Sequence, residues 1–321
     1  VYHFHRHGIS VFNSKNITVR RNYVNSRGYQ DIPNGKVSHL NAKDEGDEGI
    51  TFYWSTDSIA ENNIVENTEG IQTSGQRNKI LGSIAIGGDF GFRAITNGCT
   101  GKTQCNVMRA EDNYFENVIS IGADIVGMDF DAAKDTIAKH VTIKNAKIGF
   151  LGRDRVPAPG YEGSFHIENA LSFENREEGF YETGENTGGW LGEYVNAWSN
   201  NPNFSPQQTN SYGRWEHKTQ IDPAMGECIV YIPASSPMKN TGKNNEDIGA
   251  NILYRYENGA LTSNPLWDPN TGKFPCGAIV HGVNDVSGSS CFDVHERLNV
   301  NSNGCVLPYS CLLYTSPSPR D

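Results

Sequence analysis

The chain has 321 residues, a formal net charge of −10, 36% hydrophobic residues, 34 glycines and 14 prolines. An acidic balance of this size repels phosphate backbones and argues against nucleic acid as a partner. No apolar run approaches the ~20 residues that a membrane-spanning helix needs, so no membrane span is expected in this sequence.

At the start, His3, His5 and His7 alternate in YHFHRHG. A strand would set all three imidazoles on one face, a candidate Zn²⁺ or Cu²⁺ site. The chain opens at Val1 in mid-pattern, and truncation is expected at both ends. A repeat then appears, anchored at Gly8-Ile9-Ser10-Val11, Gly49-Ile50-Thr51-Phe52, Gly70-Ile71-Gln72-Thr73 and Gly91-Phe92-Arg93-Ala94. It continues at Gly127-Met128-Asp129-Phe130, Gly149-Phe150-Leu151-Gly152 and Gly179-Phe180-Tyr181-Glu182, with steps of 41, 21, 21, 36, 22 and 30 residues. One or two units of about 21 residues, with insertions, signal a stacked architecture.

Asn-rich stretches sit between the anchors at 13–28, 57–70, 109–118, 138–149, 165–179 and 193–201. Each alternates apolar and polar residues, the strand period, and is bounded by Asn, Gly or Ser. Asn tolerates left-handed backbone angles and hydrogen-bonds locally, so once-per-coil asparagines can bend the chain and stack into ladders. Nothing sustains a helical period.

This repeat, Gly-Φ-x-Φ followed by Asn-x-Ile-x-x-Asn, resembles that of the right-handed parallel β-helix family of pectate-lyase-like proteins over residues 1–200. The resemblance implies an all-β coil stack. Residues 201–310, rich in Cys, Pro and Gly, are expected to be irregular late coils or a cap. The final segment 311–321, CLLYTSPSPRD, resembles a translated sequencing adapter and is set aside as foreign. Six of the seven cysteines then remain, an even number that favours disulfides and export. Cys99 and Cys105 lie inside the longest insertion between coils and form the expected local staple, with Cys228, Cys276, Cys291 and Cys305 unassigned.

If positions one and three after each glycine face the core, positions two and four face solvent. Position two reads Ser10, Thr51, Gln72, Arg93, Asp129, Leu151 and Tyr181. Position four reads Phe12, Tyr53, Ser74, Ile95, Asp131, Arg153 and Thr183. The expected catalytic set is therefore Arg93, Asp129, Asp131, Lys134 and Arg153, with Tyr53, Gln72 and Tyr181 contacting substrate. Asp129 and Asp131 are also candidate oxygen ligands for Ca²⁺. Arg93, Arg153 or Lys134 can meet a uronate carboxylate or, as the lyase resemblance implies, act as base. The two aspartates can instead serve a glycoside hydrolase.

Other features include the acidic run 43–48, a carboxylate group at Glu177, Glu178, Glu182 and Glu185 with Glu182 at an inward position, and Trp190, Trp198 and Trp215 near the stack end. The expected function is a secreted or cell-surface carbohydrate-active protein, a polysaccharide lyase or glycoside hydrolase. The alternative is a non-catalytic adhesion or glycan-binding module.

Overall fold

The structure, a computed structural model, describes residues 7–25, 48–96, 109–153, 163–183, 189–205, 214–226, 229–268, 272–275, 290–294 and 298. Each turn of the chain adds one rung to two parallel sheets. The first coil carries β1 (His7–Phe12), β2 (Thr18–Arg20) and β3 (Tyr23–Asn25). The second carries β4 (Glu48–Thr56), β5 (Ile59–Glu61) and β6 (Ile64–Glu66), and the third β7 (Ile71–Gln76), β8 (Lys79–Leu81) and β9 (Ile84–Ile86). Later coils pair β10 (Phe90–Ile95) with β11 (Tyr114–Ile121), β12 (Val126–Asp131) with β13 (Thr136–Lys144), and β14 (Ile148–Arg153) with β15 (Phe165–Phe173). Then come β16 (Phe180–Thr183), β17 (Trp190–Trp198) and β18 (Arg214–Glu216).

Strands β1, β4, β7, β10, β12, β14 and β16 form a seven-stranded sheet, and the others form an eleven-stranded one. All pairings in both sheets are parallel, which makes the protein a parallel β-helix. β11 pairs with both β8 and β9, so from the fourth coil one long bent strand replaces two short ones.

The glycine-anchored register holds residue for residue: Thr51 lies beside Gln72, Gln72 beside Arg93, Arg93 beside Asp129, Asp129 beside Leu151, and Leu151 beside Tyr181. Positions one and three fill the core, where Ile50, Phe52, Phe92, Met128, Phe130, Phe150 and Phe180 are fully buried. Rings stack along the axis, with Phe130 on Phe165 at 4.4 Å and Phe150 on Phe180 at 4.6 Å. Trp190 and Trp215 meet edge to face at 3.9 Å and close this aromatic column among the late coils, while Trp198 stays outside it, partly exposed. Glu182 stands opposite Gly152 and is buried, so the register does not slip there.

Asparagine ladders form at one set of bends. Asn78 Oδ1 accepts from the Ser58 N–H and Asn113 Oδ1 from the Asn78 N–H, each at 3.0 Å. Asn175 and Asn200 repeat the pattern for the amides of Ala146 and Asn175. Buried bend amides that no strand satisfies thus find partners one coil away.

A second column bends the eleven-stranded sheet. Arg21, Asn62, Gly82, Asn117, His140, Asn169, Tyr194 and His217 occupy equivalent register positions, all at positive φ. Along this column the described residues 243–256 run back from the late coils towards the early ones. Asn169 Oδ1 accepts from the Lys243 N–H at 2.8 Å, and the Gly249 N–H donates to Asn169 O. Asn117 bridges the Asn251 N–H and the Tyr256 hydroxyl. Asn62 accepts from the Tyr256 N–H and donates to the Tyr256 carbonyl. Side chains of this arm (Val230, Ile252, Leu253, Leu266, Trp267) cover Tyr23, Ile64, Ile84 and Ile119, an apolar strip on the outside of the coils. Gly82 serves both needs, since its φ is +54° and a Cβ there would lie 2.8 Å from the Tyr256 ring.

One bend departs from the pattern. The register between β4 and β7 shifts after Tyr53, and Trp54 sits in the irregularity at φ +49°. A left-handed backbone costs a residue with a bulky side chain about 1–2 kcal/mol, and Asn13 holds the matching place in the first coil at φ +47°.

Candidate functional site

Arg93, Asp129, Asp131 and Arg153 do converge on the outer face of the seven-stranded sheet, as the register requires. Arg93 Nη1 contacts Glu69 Oε2 at 3.1 Å, and its Nε lies 3.4 Å from Asp129 Oδ2. Arg153 Nη2 hydrogen-bonds Asp129 Oδ2, and its Nε lies 3.3 Å from Asp131 Oδ2. The Arg93 guanidinium also stacks 3.9 Å over the Phe90 ring.

The expectation that these positions face solvent is corrected. Thr51, Gln72, Arg93, Asp129, Leu151 and Asp131 are all buried, with Asp129 at 0% exposure. Strand alternation fixes the direction of a side chain and not what lies over it; here long side chains of adjacent coils cover one another. Lys134 is not brought to the group; it pairs with Glu111 at 3.5 Å on a bend. Tyr181 packs beside Phe90, Val126 and Leu151 as part of a small apolar patch.

Burial pushes the Asp129 carboxyl above its ordinary range, outweighing the pull of Arg153 and Arg93. Asp129, Asp131 and Glu69 are the carboxyl groups that face the two arginines. Guanidinium groups contact one oxygen of each aspartate, Oδ2 of Asp129 and Oδ2 of Asp131, and so compete with a cation such as Ca²⁺ for those two oxygens.

Towards the first coil this face continues into a more open group. His7 Nδ1 lies 2.6 Å from Glu48 Oε2, and the Tyr53 hydroxyl donates to Glu48 Oε1 at 2.5 Å. Gln72 Nε2 donates to the Tyr53 oxygen at 3.1 Å. Burial and the Glu48 carboxylate raise the Tyr53 pKa, so the phenol stays protonated and acts as a donor. The His7 ring thus sits beside the Glu48 carboxylate, a close charge contact without hydrogen-bond geometry. Tyr53 and Gln72, both expected to contact substrate, thus meet each other. His3, His5, Cys99, Cys105, Glu185, residues 43–47 and residues 311–321 lie outside the described residues.

A second cluster escaped the sequence reading. On the outer face of the eleven-stranded sheet, His166, Glu168 and Glu193 bring one ring nitrogen and two carboxylate oxygens within 4.8 Å of one another. Their register neighbours and the arm fill the centre: Lys243 Nζ contacts Glu168 at 2.7 Å and Glu193 at 2.9 Å, and Lys139 contacts Glu168 at 2.8 Å. Burial raises the Glu168 pKa, but the two lysines outweigh it and hold the carboxyl below its usual range. Lys243 holds Glu193 low as well. The only hint in the sequence was alternation of charge, which does not reveal a partner 75 residues away.

This latch has a definite pH signature. Depressed carboxyl pKa values contribute stability that is complete above the unfolded value of about 4.3 and is lost as pH falls through the folded values. Acidification below about pH 4 should therefore increase hydrogen exchange in residues 243–251. Lys243→Met should weaken arm docking by about 1–3 kcal/mol near neutral pH and remove most of that acid response. An unchanged exchange profile in this variant would rule the latch out.

Fold and geometry together define the class as a parallel β-helix protein with a charged strip on its seven-stranded face. Comparison with protein-family models, curated proteins and solved structures finds no match. Among the described residues no helix is long and apolar enough to cross a membrane.

Proposed function

We propose that the protein is a secreted or cell-surface carbohydrate-active β-helix protein that binds an extended glycan along the outer face of its seven-stranded sheet and cleaves it. The observation that carries this reading is the unbroken line His7–Glu48–Tyr53–Gln72–Arg93–Asp129–Arg153, to which successive coils contribute in turn. From β1 to β14 the line spans five inter-strand steps, about 24 Å at strand spacing. That length suits several sugar units of a polymer.

The His7 ring beside Glu48 is the proton-transfer group, and Tyr53 meets a ligand hydroxyl while the buried Gln72 amide holds the Tyr53 hydroxyl in place. The buried aspartates act as positioning residues that keep Arg93 and Arg153 in place. Because these arginines are neutralised internally, their chemistry favours a neutral segment of the glycan over a free carboxylate at that point. The same balance supports the second reading, a non-catalytic glycan-binding module.

The test is incubation with polygalacturonate, alginate and xylan, with and without Ca²⁺, reading new reducing ends and the absorbance of unsaturated products. Glu48→Gln should lower cleavage by about 10²–10⁴-fold, the usual worth of positioned acid–base catalysis. Asp131→Ala serves as the comparison for indirect effects. Binding without cleavage would select the non-catalytic module, and neither binding nor cleavage would end the glycan reading.

A further inference from the structure

We infer that His166, Glu168 and Glu193 form a binding site for a divalent transition-metal ion such as Zn²⁺, which the arm masks by placing Lys243 at its centre. The inference is independent of the glycan reading, because this cluster lies on the eleven-stranded sheet and the line from His7 to Arg153 on the other.

Strand geometry builds the donor set. His166 and Glu168 stand two residues apart on β15 and so share a face, and Glu193 on β17 lies beside Glu168 in register. One donor atom from each lies within 4.8 Å of the other two. Exposed acidic groups often gather without a metal, but Glu168 is only 2% exposed, and a carboxylate taken out of water needs a cation. The nitrogen donor narrows the class. Imidazole suits zinc and its neighbours, whereas calcium and magnesium take oxygen ligands.

The second observation is what Lys243 leaves undone. Its Nζ donates to Glu168 Oε2 and Glu193 Oε2. Glu168 Oε1 and His166 Nε2 are buried atoms that no hydrogen bond reaches, although Lys139 Nζ stands 2.8 Å from the first and Glu193 Oε2 2.8 Å from the second. A metal ion takes a neutral imidazole nitrogen and carboxylate oxygens together. All three donors belong to strands of the stack, while Lys243 belongs to the arm. Undocking therefore clears the centre without dismantling the site. A ligand that needs a minor state binds with its affinity reduced by that state's population, so the ion and the docked lysine oppose each other.

The experiment titrates untagged full-length wild type, His166→Gln, Lys243→Met and the double variant with Zn²⁺ and with Ca²⁺ by calorimetry, and follows hydrogen exchange in residues 243–251. Lys243→Met should bind Zn²⁺ roughly tenfold more tightly than wild type, or better, and adding His166→Gln should remove that gain. In wild type Zn²⁺ should raise exchange in residues 243–251, and His166→Gln should abolish this response. A response that persists in His166→Gln would overturn the site without recourse to the Lys243 variant. Absence of Zn²⁺ binding by Lys243→Met at millimolar metal would overturn it as well. Zn²⁺ bound by wild type with exchange unchanged would show that Lys243 is not displaced and remove the mask. Ca²⁺ bound as tightly as Zn²⁺ would overturn the assigned class of ion.

Discussion

Replacing Asn62 with alanine should destabilise the protein by about 3–5 kcal/mol, more than most single substitutions at a bend. Its side chain accepts from the Tyr256 N–H at 2.9 Å and donates to the Tyr256 carbonyl at 2.6 Å, and all these groups are buried. Alanine strands both backbone groups, at about 1–3 kcal/mol for an unmet buried polar group. It also places a less tolerant residue at φ +57°, for about 1 kcal/mol more. Asn62→Gly separates the two contributions, since it restores backbone freedom without restoring either hydrogen bond. Chemical denaturation of the three proteins checks this. If Asn62→Gly recovers full stability, the contacts to the arm contribute nothing.

The second large effect is expected at Asp129, and its sign is unusual. Asp129→Leu should lose about 3–5 kcal/mol, because Arg93 and Arg153 are left facing an apolar group in a buried site. Asp129→Asn should stay within about 1 kcal/mol of wild type near neutral pH. A carboxyl with a raised folded pKa contributes stability that is present below its unfolded value of about 3.9 and is lost as pH rises through the folded value. A neutral amide escapes the burial cost that raises the Asp129 pKa and keeps an acceptor for both guanidiniums. Denaturation midpoints measured across pH 3 to 8 decide the matter. Should Asp129→Asn be as damaging as Asp129→Leu, the negative charge itself would be what the arginines require.

The stack was legible because its information is local and periodic. Gly-Φ-x-Φ sets which side chains enter the core, and the pairing of Arg93 with Asp129 and of Asp131 with Arg153 follows from the same count. Asn113, Asn175 and Asn200 were also readable as ladder residues from their place in the Asn-rich stretches. The buried state of Arg93 and Asp129 was not, because periodicity carries no account of what covers a face. The arm was hidden for a different reason. Asn62 meets Tyr256 across 194 residues and Glu168 meets Lys243 across 75, and neither separation leaves a pattern in the chain. Lys134 misled for want of one detail: it follows β12 but lies past the bend, where it pairs with Glu111 and leaves the outer face of the sheet.

The backward course of the arm alters how the coils depend on one another. In a plain solenoid each rung feels only its neighbours, so ends can fray and distant rungs melt separately. Here one segment grips Asn169, Asn117 and Asn62 in succession, tying late rungs to the second one. Loss of any rung along that path releases contacts at all the others. A nearly one-dimensional array is thereby turned into a single cooperative unit, whose melting should be one sharp transition that broadens once the arm is undocked.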